Sequence, residues 1–582
     1  MIPARDPRYF GPTDRPLFGW IHRAPAPPHL GLVVCNPFGY EAVCAHRSLR
    51  HLAKQAADIG VPAIRFDYDG TGDSCGDALE PARVAAWVAS IHAAVDELRK
   101  ATGVAKVVIA GVRLGATLAA TAAATRKDVV GVIAIAPVIA GKPYLRELRA
   151  LQMAAGFGEP PAGQGLPADV VQESLGFPIT AETQAAMQAL DLLKSERPAA
   201  QMLVIDRDDM PANDKWVARL REQGATVQHD RLPGYVEMML DPHKTTVPER
   251  MIDTVTVWLE ARAASEPAAH HTNVAGRHQA FLGKVVESPL YLDPDHGQFG
   301  ILTEPAGPAP LRRKAIILLN AGAVHHVGPN RLYVELARRW AALGHAVLRV
   351  DIAGIGDSKP RPGRPENIVY TKDAVDDVAG AVAAVAKLPG VVEVHSVGLC
   401  SGAYNSIKAA SRGLRLRSIV PINPLTFTWH DPMPLDYPAF KVAGEAKRYQ
   451  EAAFSVAKWK KLLRGEVNVQ AVAQVMARRG YSLARHKVRD LARLARRPFP
   501  DDVGAELEQI ARAGVGIHFV FAERDPGQEL LRVEGGTAAA KLIAKGQIGV
   551  ATIDGPDHTF TPVWSHAALI DRLGAILDAP VS

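Results

Sequence analysis

Cys400 is the centre of a Gly398-Leu-Cys400-Ser-Gly402 turn, set between an apolar run (VEVHSV) and an Ala-containing stretch of helical period. A Gly-x-nucleophile-x-Gly turn between a strand and a helix holds its middle residue exposed at the helix N-terminus, where close backbone leaves no room for side chains at the glycines. Helix N-termini favour thiolate over thiol. Most free cysteines are small buried hydrophobes, but the strand–turn–helix context here argues for a nucleophile. An acid and then a base should follow in chain order. The apolar run VGIHFVFAERDPG (515–527) ends in Asp525, with Glu523 as the competing acid, and GVATIDGPDHTFTP (549–562) carries His558 on a Gly/Pro-rich turn. His558 would take the thiol proton, and Asp525 would orient the ring and stabilise the imidazolium. Acyl transfer also needs donors for an oxyanion. The backbone N–H of Ser401 and one from the segment Asn-Ala-Gly-Ala (320–323), at Ala323, are the expected pair. His325 and His326 follow directly, either lining the pocket or serving as ordinary loop residues.

The elements that must position these groups occur twice. Residues 65–74 (RFDYDGTGDS) and 349–358 (RVDIAGIGDS) both fit R-x-D-x-x-G-x-G-D-S. Upstream, VVCNPFG (33–39) matches LLNAGAV (318–324), and downstream GVRLG (111–115) matches GLCSG (398–402). Register held over such separated blocks is the mark of an internal repeat. In each copy short apolar runs alternate with stretches of helical period, the pattern of a mostly parallel sheet covered by helices on both faces. Less regular, hairpin-like lead-ins precede each copy at 9–24 and 281–304. The expected organisation is therefore a first domain over 1–262, a linker over 263–279 and a second domain over 280–582. Caps are expected at about 140–195 in the first copy and about 424–510 in the second. A hydrophobic interface between copies is also expected, and the same surface could join separate molecules as a homo-oligomer.

The first copy lacks the chemistry of the second. At its elbow, Gly111-Val-Arg113-Leu-Gly115, the nucleophile position holds an arginine, which stays protonated and cannot attack a carbonyl. Asp206, Asp208 and Asp209 follow the acid strand, but the base region RLPGYVEMM (231–239) offers Tyr235 and Glu237, with His243 several residues late. This copy is expected to be a pseudo-hydrolase. Arg113 should pair with one of those aspartates, or else bind an anion, and buried arginines are normally paired.

Charge and composition narrow the partners. The 582 residues carry a formal charge of +6, with 48% hydrophobic and 22% charged residues, so global disorder is excluded. Residues 441–497, in the second cap, carry a net +11, leaving the remainder acidic. A solvated helical face accounts for most such runs. The functional reading is an acidic partner, either the phosphates of coenzyme A or the acidic surface of an acyl carrier protein. Nucleic acid is disfavoured by sparse aromatic interleaving. Four cysteines cannot build a disulfide framework, no CxxC pair suggests zinc, and neither metal nor cofactor is expected. The N-terminal MIPARDPRYF has no apolar core of a signal peptide, and no apolar run is long enough to span a membrane, so a cytoplasmic location is expected.

These motifs resemble the α/β-hydrolase superfamily over nearly the whole chain. More narrowly, VVCNPFGYEAVCAHRSLRHLA, RFDYDGTGDS and GVRLGATLAA resemble the exosortase A system-associated hydrolases, and the second copy resembles related hydrolase-like proteins found with acyl-modifying enzymes. The resemblance implies serine-hydrolase-type acyl chemistry, with the departure that Cys400 stands where most members carry serine. The expected activity is an acyl hydrolase, thioesterase- or esterase-like, acting through an acyl-cysteine. The alternatives are an acyltransferase moving an acyl or aminoacyl group from a coenzyme A or carrier thioester to a thiol, alcohol or amine, a non-enzymatic scaffold, and a lyase or isomerase without a covalent intermediate.

Overall fold

The computed structural model describes residues 4–578 apart from 26, 158–159, 162, 164, 269–273, 294–296, 431–432 and 434–498. The basic run 441–497 and most of the expected second cap lie outside the described residues.

Two large sheets form, each from one copy. In the first, the spatial order is Arg5–Phe10, Leu17–His22, Ala63–Phe66, Gly31–Cys35, Val107–Val112, Val129–Ile135, Gln201–Arg207 and Thr226–Leu232. In the second, Ala280–Leu282 is an added edge, followed by Val285–Asp293, Gln298–Pro305, Ala346–Val350, Arg313–Leu319, Val391–Leu399, Ser418–Ile422, Gly516–Ala522 and Ile548–Ile553. Without that edge strand the two orders are the same. The lead-in hairpins pair antiparallel and the remaining strands pair parallel. This is the α/β-hydrolase fold, built twice in tandem.

The central strands are apolar on both faces because helices cover both. Every residue of Gly31–Cys35 and of Arg313–Leu319 is buried. Each sheet thus has a core on either side, with Trp258 and Trp340 among the largest side chains enclosed. The first cap consists of a helix (Gly141–Ala155), a two-stranded hairpin (Val170–Ser174 with Phe177–Thr180) and a second helix (Ala181–Ala189).

The repeated R-x-D-x-x-G-x-G-D-S motif is a self-bonded turn. Asp67 Oδ2 accepts the Asp73 N–H at 2.9 Å, and Asp351 Oδ2 accepts the Asp357 N–H at the same distance. Ser74 and Ser358 each donate to the carbonyl of that aspartate at 2.7 Å. Glycine is required at 72 and 356, where φ is positive and a Cβ would lie within 2.1–2.4 Å of the aspartate carboxylate.

The same turns face each other across the boundary between the copies. The expected hydrophobic interface forms there, and buried charged groups join it. Its centre is aromatic, with Trp20 against Phe299 at 4.5 Å and Tyr9, Phe18 and Tyr291 around them. Buried ions enclose that centre: Arg65 pairs with Asp357, and Arg349 pairs with Asp73 and with Glu287. Arg65 and Arg349 come from strands and Asp73 and Asp357 from the turns that follow them, and each charge there meets an opposite one, as buried charges must.

Candidate active site

Cys400 closes the strand Val391–Leu399 and caps the helix Ser401–Ser411, with φ 59° and ψ −114°. Few non-glycine residues adopt this conformation, and it recurs at strained functional turns. A Cβ on Gly398 would stand 2.1 Å from the Gly402 backbone, and one on Gly402 would stand 2.7 Å from the Leu319 carbonyl. The glycines thus let helix, turn and neighbouring strand pass in contact. The Cys400 N–H donates to the Ile422 carbonyl at 2.9 Å, fixing the turn to the adjacent strand end.

His558 and Asp525 converge on this turn from the two strands beyond. His558 Nδ1 lies 2.5 Å from Asp525 Oδ2, while Asp525 Oδ1 accepts the Gly527 N–H at 2.7 Å. The carboxylate fixes the ring so that Nε2 faces Cys400. Burial lowers the His558 pKa, but the neighbouring Cys400 and the Asp525 hydrogen bond outweigh it and bring it up to about 10. The ring is therefore poised as imidazolium beside sulfur. Glu523, the competing acid, points to solvent.

Ser401 opens its helix, so its N–H has no intrahelical acceptor and stays free for an oxyanion. Its hydroxyl donates to the Asn320 carbonyl at 3.1 Å and accepts the Gly322 N–H at 2.9 Å. That bridge holds residues 320–323, and Ala323 with them, against the elbow.

Two residues at this site were not evident from the sequence. Tyr370 is buried beside Cys400, stacked on Trp429 at 4.5 Å and set edge-on to Tyr404. Its phenol pKa is raised by burial and further by the neighbouring Cys400. Among the described residues neither Tyr370 Oη nor His558 Nε2 has a hydrogen-bond partner. Tyr370 follows an irregular stretch that no periodicity singles out. Asn423, at positive φ, accepts the Ala522 N–H at 2.8 Å and donates to the His558 carbonyl at 2.7 Å, joining the acid strand to the base loop. An asparagine just past a strand, before Pro424, was the available signal.

His325 and His326 do not line this pocket. His326 is fully buried at the seam, its Nδ1 2.8 Å from Asp351 and its Nε2 2.7 Å from Asp73. His325 stacks on His46 at 4.1 Å. His326, Asp351 and Asp357 are close enough together to hold a metal ion. Both His326 nitrogens already bond carboxylates and Arg65 already neutralises Asp357, so this cluster is satisfied without one.

In the first copy Arg113 occupies an elbow of the same shape, with φ 54° and ψ −124°. It pairs with glutamates, not with Asp206, Asp208 or Asp209 as expected. Nε donates to Glu41 at 2.8 Å and Nη2 to Glu147 at 2.6 Å. Tyr144 and Tyr235 pack against the guanidinium and both bond Glu41. Burial opposes the charge, but these carboxylates raise the Arg113 pKa, and an anion would have to displace them. Asp206 instead accepts from Asn213 and meets His229 at 2.7 Å.

The family model described as Hydrolase_4, serine aminopeptidase S33, matches residues 43–167. That stretch contains the Arg113 elbow, so the part of the chain similar to a serine family has no serine at this position. No curated protein matches the chain. Among solved structures it is similar to the α/β hydrolase GrgF from Penicillium sp. sh18, at 17% identity and TM-score 0.34 over 45% of this chain and 99% of that one. It is also similar to proline iminopeptidase from Mycobacterium smegmatis, at 18% identity and TM-score 0.32 over 45% and 99%. Est1E from Butyrivibrio proteoclasticus, with ferulic acid bound, is similar at 17% identity and TM-score 0.33 over 44% and 98%. Among the described residues no helix is long and apolar enough to cross a membrane.

Proposed function

We propose that this α/β-hydrolase enzyme is an acyl hydrolase whose second copy works through Cys400, with His558 as base and acid and Asp525 as the group that orients it. The observation that carries the reading is the Asp525–His558 contact at 2.5 Å, with the free edge of His558 turned to a cysteine held in the elbow conformation.

Thiolate sulfur attacks the carbonyl carbon of an ester or thioester, and the carbonyl pair moves onto oxygen. The N–H groups of Ser401 and Ala323 and the hydroxyl of Tyr370 receive that oxyanion. As it collapses, the bond to the leaving group breaks and the His558 imidazolium supplies the proton. An acyl-cysteine remains. His558, now neutral, removes a proton from water, hydroxide adds to the thioester, and the acid leaves with thiolate and imidazolium restored. Asp525 keeps the ring in register throughout and takes no proton.

A second reading, transfer in place of hydrolysis, draws on the identity of the nucleophile. An acyl-cysteine is itself a thioester, so exchange with coenzyme A or a carrier thiol is nearly isoenergetic, and the +11 segment at 441–497 supplies charge for an acidic donor or acceptor. Incubation with acyl-coenzyme A, with and without an added thiol or amine, separates the two. Release of free acid in buffer supports hydrolysis, whereas release that needs the added acceptor supports transfer. A scaffold would leave Cys400 unlabelled and every donor intact.

A further inference from the structure

The first copy has lost its own site, yet it contacts three segments of the second copy that bring working groups to Cys400. The loop after the strand Arg313–Leu319, which carries Ala323, runs on to His326 and Arg331. His326 Nε2 meets Asp73 of the first copy at 2.7 Å, and Arg331 donates three hydrogen bonds of 2.6–2.8 Å to the carbonyls of Gly72, Ser74 and Gly76. The segment leading to Tyr370 is held at Glu366, which accepts from Arg50 at 3.0 Å and meets His51 at 2.8 Å. Asn367, next to it, donates to the Pro242 carbonyl at 2.9 Å. The loop that carries His558 meets the first cap: Glu173 accepts the Val563 N–H at 3.3 Å. Gly176 comes so close that a Cβ would lie 2.5 Å from the Thr561 carbonyl and 2.0 Å from the Asn330 amide.

From these contacts we infer that the first copy is a positioning unit in cis, holding the oxyanion loop, Tyr370 and His558 in register around Cys400. This inference rests on the proposed catalytic role of Cys400. The three segments are loops, and a loop keeps catalytic geometry only where something rigid holds it. In this chain that support is the neighbouring domain. The arrangement also gives a reason for a cap on a copy without a nucleophile, since its hairpin Val170–Ser174/Phe177–Thr180 ends against the base loop. Glu173 and Arg50 are positioning residues: neither is at the thiol, and each acts through the segment it holds.

The test is the rate at which iodoacetamide alkylates Cys400 in the full chain at pH 7, followed by peptide mass. Wild type is compared with His558→Ala, Glu173→Leu, Glu173→Gln, Arg50→Met and Tyr291→Phe. The last removes a contact between the copies, Tyr291 to the Arg5 carbonyl at 3.0 Å, that does not face the site. Melting temperature is recorded for each. The inference expects Glu173→Leu and Arg50→Met to slow alkylation about tenfold or more, Glu173→Gln, which keeps an acceptor oxygen, to recover most of the rate, and Tyr291→Phe to match wild type at a similar melting temperature. If alkylation depends on His558 but is unchanged in Glu173→Leu and Arg50→Met, the positioning role is overturned and the catalytic reading stands. Slowing in Tyr291→Phe equal to that in the other two would also overturn it, because interface stability alone would then explain the effect. If His558→Ala alkylates as fast as wild type, the catalytic reading fails and the inference fails with it.

Discussion

Arg65 in the first copy is bonded to Asp357 in the second, 292 residues away, and the equivalent groups repeat the pair in reverse as Arg349 with Asp73. The motif that reveals the duplication is thus also the lock between its products. Each turn is folded by its own aspartate and serine, and the arginine and second aspartate left over serve the other copy.

Breaking one side of this lock should be costly. Asp357→Asn leaves Arg65 buried without its countercharge, and removal of one member of a buried pair costs about 3–5 kcal/mol. Denaturant unfolding should show the loss. Replacing both members by apolar residues, as Arg65→Met with Asp357→Leu, should recover much of it.

The seam should also make stability depend on pH. Burial opposes charge on His326, but Asp351 and Asp73 hold its folded-state pKa up at about 10. A histidine raised above its unfolded value, about 6.5, contributes stability that is fully present below that pH. The contribution is lost as pH rises through about 10. The melting temperature of wild type should therefore fall between pH 7 and pH 10, and His326→Gln should melt lower at pH 7 with a flatter profile. His558 is raised to a similar value, so the comparison is best made in a His558→Ala background.

The first-copy elbow should resist revival. Arg113→Cys restores a thiol but not a base, since Tyr235 and Glu41 stand in its surroundings. No acyl adduct is expected there. The substitution should lower stability by up to about 3 kcal/mol by leaving Glu41 without its countercharge, an upper figure because Glu147 is exposed enough to be solvated.

Tyr370→Phe isolates one hydroxyl. Buried without a hydrogen-bond partner among the described residues, the hydroxyl adds little to folding, so melting should be unchanged or slightly raised. Acylation of Cys400 should slow about tenfold or more if the hydroxyl receives the oxyanion, with kcat falling more than KM changes.

The fold and the order Cys400, Asp525, His558 were legible because both depend on local signals: apolar runs, a Gly-x-Cys-x-Gly turn, and an acid and a histidine just past strands. Groups whose meaning lies in a distant contact were not. Nothing near Asp73 says that it meets His326, and nothing near Glu173 says that it meets the loop of His558. Arg113 was visible as an arginine at the middle of an elbow, but its glutamate partners come from a helix far upstream and from the cap. Tyr370 follows a stretch of Pro, Gly and charged residues with no period to place it.

A covalent acyl group at Cys400 is the central expectation of the proposed mechanism. Intact-protein mass after incubation with a panel of acyl-coenzyme A donors tests this most directly, in wild type, Cys400→Ala and His558→Ala. A mass increase by one acyl group is expected in wild type, decaying in buffer, absent in Cys400→Ala and strongly slowed in His558→Ala. Donor consumption that continues undiminished in Cys400→Ala would contradict it.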